Sequence, residues 1–350
     1  MSALTSRFQP RAVAKVVRLP RAGWRFHTLL ALSAALVVVL CVLHLGIGTV
    51  SLSPAEVVAA LFGHPTLPYT RVIVWELRLP RTLIAAVAGA MLALAGAILQ
   101  AVMRNPLAEP EMTGAVSGAV LAAVLWLTGP GHAGNLAPLL PFVALAGGLL
   151  ACGGVYLMNL ARGSASGHLI LTGLLTSAVL RSATSFLLLI HQEALGGILI
   201  WLIGSLNGRV WTHWDTLWPW ALVAIPAGLA CARWANIVQL GDTTAVGLGL
   251  HLHWTRAALL FTAALLAATA VSVVGGITFL GLIAPHIARR IVGADARRLF
   301  PFSALLGASL LLVADMIAQL ILWPNTLPVG AVLALIGAPF FLYLLARRAA

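Results

Sequence analysis

The chain has 350 residues, of which 61% are hydrophobic and 9% charged, and its mean hydropathy is +1.01. No water-soluble domain of this length can hide that much apolar surface, so a soluble enzyme or binding module is excluded. The formal net charge of +12 comes from twenty arginines and Lys15; these sit at the ends of apolar tracts, which suits anionic lipid and topology control rather than nucleic acid.

Residues 1–27 form a basic cytoplasmic N-terminal segment. Arg7, Arg11, Lys15, Arg18, Arg21 and Arg25 recur there every three or four positions. On a helix they make one stripe suited to a lipid surface. Pro10 and Pro20 interrupt it, so a broken helix or a tail fits equally. The first apolar tract, 28–47, is long enough to span and no cleavage site follows, so it reads as a retained helix. Nine further tracts follow, at 82–102, 113–127, 139–161, 168–190, 217–234, 254–274, 277–292, 301–322 and 329–346. Because no lipid-exposed loop can cross a hydrocarbon core, each tract is predicted to be a helix. The fold class is therefore all-α integral membrane, with ten transmembrane helices in a domain over 28–350.

Basic residues give the orientation. With the N-terminus inside and every tract crossing, sixteen of the twenty-one face the cytoplasm. Arg71, Arg78, Arg81 and Arg209 face outward and Arg181 lies within a span, the asymmetry of the positive-inside rule. Both termini are then cytoplasmic. Trp201, Trp211, Trp214, Trp218 and Trp220 gather between the fifth and sixth tracts and read as an interfacial belt. Cys41, Cys152 and Cys231 are far apart in apolar runs, which is no disulfide framework.

Catalytic motifs are missing. Lys15 is the only lysine and no phosphate loop contains it, so the chain does not hydrolyse ATP through such a loop. HExxH and GxSxG are absent. His251 and His253, two apart, point away from each other on a helix, and no metal or cofactor is expected. Glu109 and Glu111 read as a solvated turn. Asp315, inside the ninth tract, is expected to bond a neighbouring helix. Arg181 either faces a translocation path, snorkels outward or pairs internally.

Residues 77–119 (LRLPRTLIAAVAGAMLALAGAILQAVMRNPLAEPEMTGAVSGA) resemble the signature of permease subunits of FecCD-type ABC importers for ferric siderophores, haem and cobalamin. Five further stretches follow in the family's order: 201–211 (WLIGSLNGRVW), 240–249 (LGDTTAVGLG), 279–286 (FLGLIAPH), 297–301 (RRLFP), and 327–330 with 337–343. The resemblance implies a homodimer with a central path, two cytoplasmic ATPase subunits that use the ATP, and a periplasmic substrate-binding protein, all at the cell inner membrane. It implies that Arg78 and Arg81 dock acidic residues of that binding protein, as guanidinium forks suit carboxylates. Gln319 occupies the position of a further docking arginine in the cobalamin member. Leu240, Gly241, Asp242, Thr243, Thr244, Leu248 and Gly249 match the ATPase coupling loop, with Asp242 or a threonine as its helix cap. Ser164, Ala165 and Ser166 match a cytoplasmic gate, and equally read as a polar turn. Gly276 and Thr278 depart from the family's Pro and Gly. The expected cargo is an iron chelate, haem or a ferric siderophore, with cobalamin the alternative. An ion-coupled carrier using Asp315 and Arg181, or an integral membrane enzyme, are the rivals from other classes.

Overall fold

The structure, a computed structural model, describes residues 22–64, 68–129, 139–160, 166–191 and 195–349. Arg7, Arg11, Lys15, Arg18 and Arg21, and Ser164 and Ala165 of the gate, lie outside the described residues, while Ser166 opens a helix.

The first helix, α1 (Ala22–Gly46), has 25 residues and reaches about 37 Å, enough to cross the roughly 30 Å hydrocarbon core. A short helix, α2 (Pro54–Leu61), follows. Ser53 caps it, taking the Glu56 amide while the Glu56 carboxylate takes the Ser53 amide, and Pro54 occupies the first turn. That pairing satisfies donors that a helix start otherwise leaves open.

The second predicted span is longer than its apolar core. A continuous helical run covers Tyr69–Val102, built from α3 (Pro68–Val72), a π-helical turn (Ile73–Arg78) and α4 (Leu79–Val102). Pro80 has no N–H to give the preceding turn, and the Leu79 amide reaches back five residues to Val74. That widened turn sets the directions of Arg78 and Arg81.

Helix α4 is the axis of the molecule. It packs against α14 (Ala296–Leu320), α12 (Leu252–Val274), α13 (Leu280–Val292) and α9 (Trp211–Ala230). Glycine makes the approach close: a β-carbon on Gly96 would lie 1.8 Å from the Gly281 carbonyl oxygen, and one on Gly89 2.5 Å from that of Gly307. Small residues at such crossings let backbones touch where no hydrophobic drive exists between helices. Around this core stand α5 (Ala115–Thr128), α6 (Leu140–Leu160), α7 (Ser166–Ile190), α10 (Ala232–Gln239) and α15 (Val329–Ala349).

Among the described residues, six helices are long and apolar enough to cross a membrane, and α9 with α10, bent by 42° at Cys231, forms a seventh if that pair is one span. Two shorter apolar helices lie over Ala115–Thr128 and Val329–Leu342, and α13 has 13 residues. Every predicted tract overlaps a helix. The sequence reading missed α2, the helical start at Pro68 and α8 (Leu195–Ile203). Trp201 corrects the belt reading: it is buried in the core, while Trp218 is exposed.

Candidate functional site

Polar groups concentrate at the two ends of α4 and on one segment between them. At the Arg81 end, Asp315 on α14 is fully buried and gathers four donors. Arg81 binds it with both edges of its fork, Nε to Oδ2 at 2.8 Å and Nη2 to Oδ1 at 2.9 Å. His44 Nε2, at the end of α1, lies 2.8 Å from Oδ2, and Gln319 Nε2 donates at 3.0 Å from one turn further along α14. His44 Nδ1 reaches Thr82 at 2.8 Å. The knot ties α1, α4 and α14 together, the helix-bonding role expected of Asp315. A buried carboxylate survives only when paired and hydrogen-bonded in this way.

Arg78 is also buried; it donates to the carbonyls of Leu45, at 2.8 Å, and Val50. Arg78, Arg81 and Gln319 meet along one cavity of about 310 Å³, joined there by Arg209 from the 204–210 loop. Three guanidiniums thus line it. Arg209 places Nη1 3.2 Å from His213 Nε2, and burial pushes its guanidinium down to about 10, still charged at neutral pH. Sequence reading had placed Arg209 outside but not beside the other arginines; only the returning loop brings it there.

The middle segment overturns the solvated-turn reading of Glu109 and Glu111. Glu109 precedes and Glu111 lies within a 3-10 turn (Pro110–Thr113) packed against α5 and α7. The Phe279 amide donates to Glu109 Oε2 at 3.3 Å, Ser177 Oγ donates to the Glu111 carbonyl at 2.7 Å, and Arg181 pairs with the Glu111 carboxylate. Burial raises the Glu109 carboxyl above its ordinary range, against the lowering effects of the Phe279 amide and Arg181. Of the readings open for Arg181, internal pairing is present, and the side chain is still half exposed. It borders a second cavity of about 230 Å³ with Ser117, Thr184, Ser185 and Thr278.

At the far end of α4 stands α11 (Asp242–Gly247), a six-residue helix between Gly241 (φ 107°) and Gly249 (φ 80°). Leu240, Gly241, Asp242, Thr243, Thr244, Leu248 and Gly249 form one protruding element. Leu240, Val246 and Leu248 are exposed on it, an apolar tip with no cover among the described residues. Asp242 and the threonines do not cap the helix. Gly241 is the cap residue, and the Asp242 carboxylate takes Arg104 and Arg256 instead. Neither arginine stood out in the sequence, since each reads as an ordinary basic residue at a helix end. Among the described residues no group of His, Cys, Asp and Glu is arranged to hold a metal ion.

Long apolar helices crossing at glycines, with charged knots at both ends, define a multi-pass membrane protein. Residues 36–347 match the FecCD transport family. The chain is 41% identical over 319 residues to the Fe(3+)-citrate import system permease protein YfmE of Bacillus subtilis (strain 168), covering 89% of this chain and 92% of that protein. It is 39% identical over 288 residues to the cobalamin import system permease protein BtuC of Halobacterium salinarum (strain ATCC 700922 / JCM 11081 / NRC-1), covering 82% and 76%. A solved structure described as an inward-facing conformation of a metal-chelate type ABC transporter superposes with a TM-score of 0.79 at 30% identity, over 92% of this chain and 99% of that one. The chain belongs to the FecCD transport family.

Proposed function

We propose that this chain is the translocation subunit of an ATP-driven, binding-protein-dependent importer for an iron chelate. The observation that carries the proposal is the family match over residues 36–347, together with a relative named for iron-citrate import. In this reading the chain is not an enzyme: separate ATPase subunits hydrolyse ATP, and no cofactor is bound here. Ten passes, a homodimer around a central path and cytoplasmic termini complete the proposal. The helices overlapping all ten tracts and the distribution of basic residues support it.

The apolar tip of α11 suits a groove on the ATPase, and the arginine-lined cavity suits acidic side chains of a periplasmic binding protein. Arg78 and Arg81 already hold internal partners, so their docking role is shared with a structural one. Arg181, with its cavity, is the candidate path residue, and Ser164, Ala165 and Ser166 are the candidate gate. Haem rests on the resemblance alone. Cobalamin is the second reading, favoured by the BtuC similarity.

The test is uptake into proteoliposomes carrying this chain with its ATPase and binding protein. ATP-dependent uptake of ferric citrate supports the first reading, and ATP-dependent uptake of cobalamin instead supports the second. Transport by the chain alone under an ion gradient would replace both with an ion-coupled carrier.

A further inference from the structure

Asp242 is held from two sides. Arg256, in the first turns of α12, donates Nη2 to Asp242 Oδ1 at 2.7 Å, and Arg104, just past the end of α4, pairs with the same oxygen. Arg256 is almost fully buried, whereas Arg104 and Asp242 are a third or more exposed. One carboxylate at the root of α11 therefore joins α4 and α12, whose apolar spans are the most buried of those described.

The backbone of Arg104 is a second, independent observation. Its φ is +49°, the left-handed region. It follows Met103, the closing residue of α4, and the Asn105 amide returns to the Gln100 carbonyl at 3.2 Å. That is the position after a helix end where glycine is the low-strain choice, because a β-carbon is crowded there. Glycine is freely used elsewhere in this chain, at 33 positions. An arginine in that strained position is consistent with a need for its side chain, which reaches Asp242.

We propose that Asp242, Arg104 and Arg256 form a clasp that makes α11 move as one body with α4 and α12. Asp242 is thus the positioning residue through which motion of an ATPase enters the membrane helices. The inference rests on the reading of α11 as the ATPase contact and adds the load path beyond it. Without the clasp, α11 keeps only the packing of its buried Ala245 beside α10 and α12 and its two glycine joints, Gly241 and Gly249, and is freer to pivot against the bundle. A charge-assisted pair on each side removes that freedom.

The test uses the full complex with its ATPase in lipid nanodiscs. Cross-linking through Val246→Cys to the ATPase checks the contact itself. Hydrogen exchange across 204–210, at the other end of the bundle, is then compared with and without ATP and vanadate, alongside the ATP hydrolysis rate. For Asp242→Asn, the cross-link and hydrolysis should persist while the ATP-dependent exchange change shrinks about fivefold, the scale of one lost partly exposed ion pair. Asp242→Glu should restore it, which a merely structural lesion would not do. An undiminished change in Asp242→Asn, with the cross-link present, overturns the clasp alone. Absence of the cross-link, or of any ATP-dependent change in the unaltered complex, overturns the contact reading and the clasp with it.

Discussion

Asp315 and Asp242 each gather hydrogen-bonding side chains from two other segments of the chain, at opposite ends of α4, but their surroundings differ. Asp315 has no exposure and takes four donors in a bidentate, fully satisfied arrangement. The side chain of Asp242 is 43% exposed and shares one oxygen between two arginines. A buried knot fixes helices permanently, since losing one member strands a charge in a low dielectric. The Arg104 side of the half-solvated clasp costs little to open, because water can replace that partner, while Arg256 stays buried. The molecule is thus held by a fully buried knot where α1, α4 and α14 meet and by a partly solvated clasp where α11 is attached.

The contrast can be broken by substitution. The largest effect is expected for Asp315→Ala, which leaves Arg81 and His44 facing no acceptor; about 3–5 kcal/mol of stability should be lost in a detergent unfolding assay. A cost no larger than that of Asp242→Asn would erase the distinction. Next comes Arg81→Lys, which keeps the charge but not the fork. It should cost about 1–3 kcal/mol and weaken binding-protein docking in a surface-immobilised titration, with ATPase assembly intact. Asp242→Asn should cost about 1 kcal/mol or less. That loss should fade when salt is raised from about 0.1 to 1 M, as screening contracts to a few ångströms, whereas the Asp315 loss should not.

The smallest effect is at α2. The Ser53 amide and hydroxyl hold the Glu56 carboxylate below its ordinary range. A folded value below the unfolded one contributes stability above the unfolded pKa and loses it as pH falls through the folded pKa. The native chain should be the more stable above that acid window, and its lead over Ser53→Ala should close as pH falls through it, the variant's profile being the flatter there. Equal profiles would remove the capping box as a contributor.

Much of the bundle was legible because hydropathy is a local quantity. The seventh tract, 254–274, differs from α12 by two residues at its start, and α11 begins within the stretch that its motif marked. What escaped depended on partners distant in sequence. Glu111 and Arg181 are 70 residues apart, and nothing near either one says that the turn at Pro110 folds back into the bundle. Trp201 has the composition of an interfacial residue yet packs in the core, because α8 and its loop turn inward. Asp242 looked like a helix cap since its local context is that of one; Gly241 took that place and the carboxylate went to arginines 138 and 14 residues away.

By itself the sequence determined that this chain lives in lipid, where its helices lie and which family it resembles, because burial of apolar runs and satisfaction of backbone hydrogen bonds are decided segment by segment. The tertiary structure alone decided which charges meet. Pairing an ionised side chain in a low-dielectric interior depends on approach within a few ångströms, and that approach is set by helix crossings at residues such as Gly96 and Gly89 rather than by any neighbour in the chain.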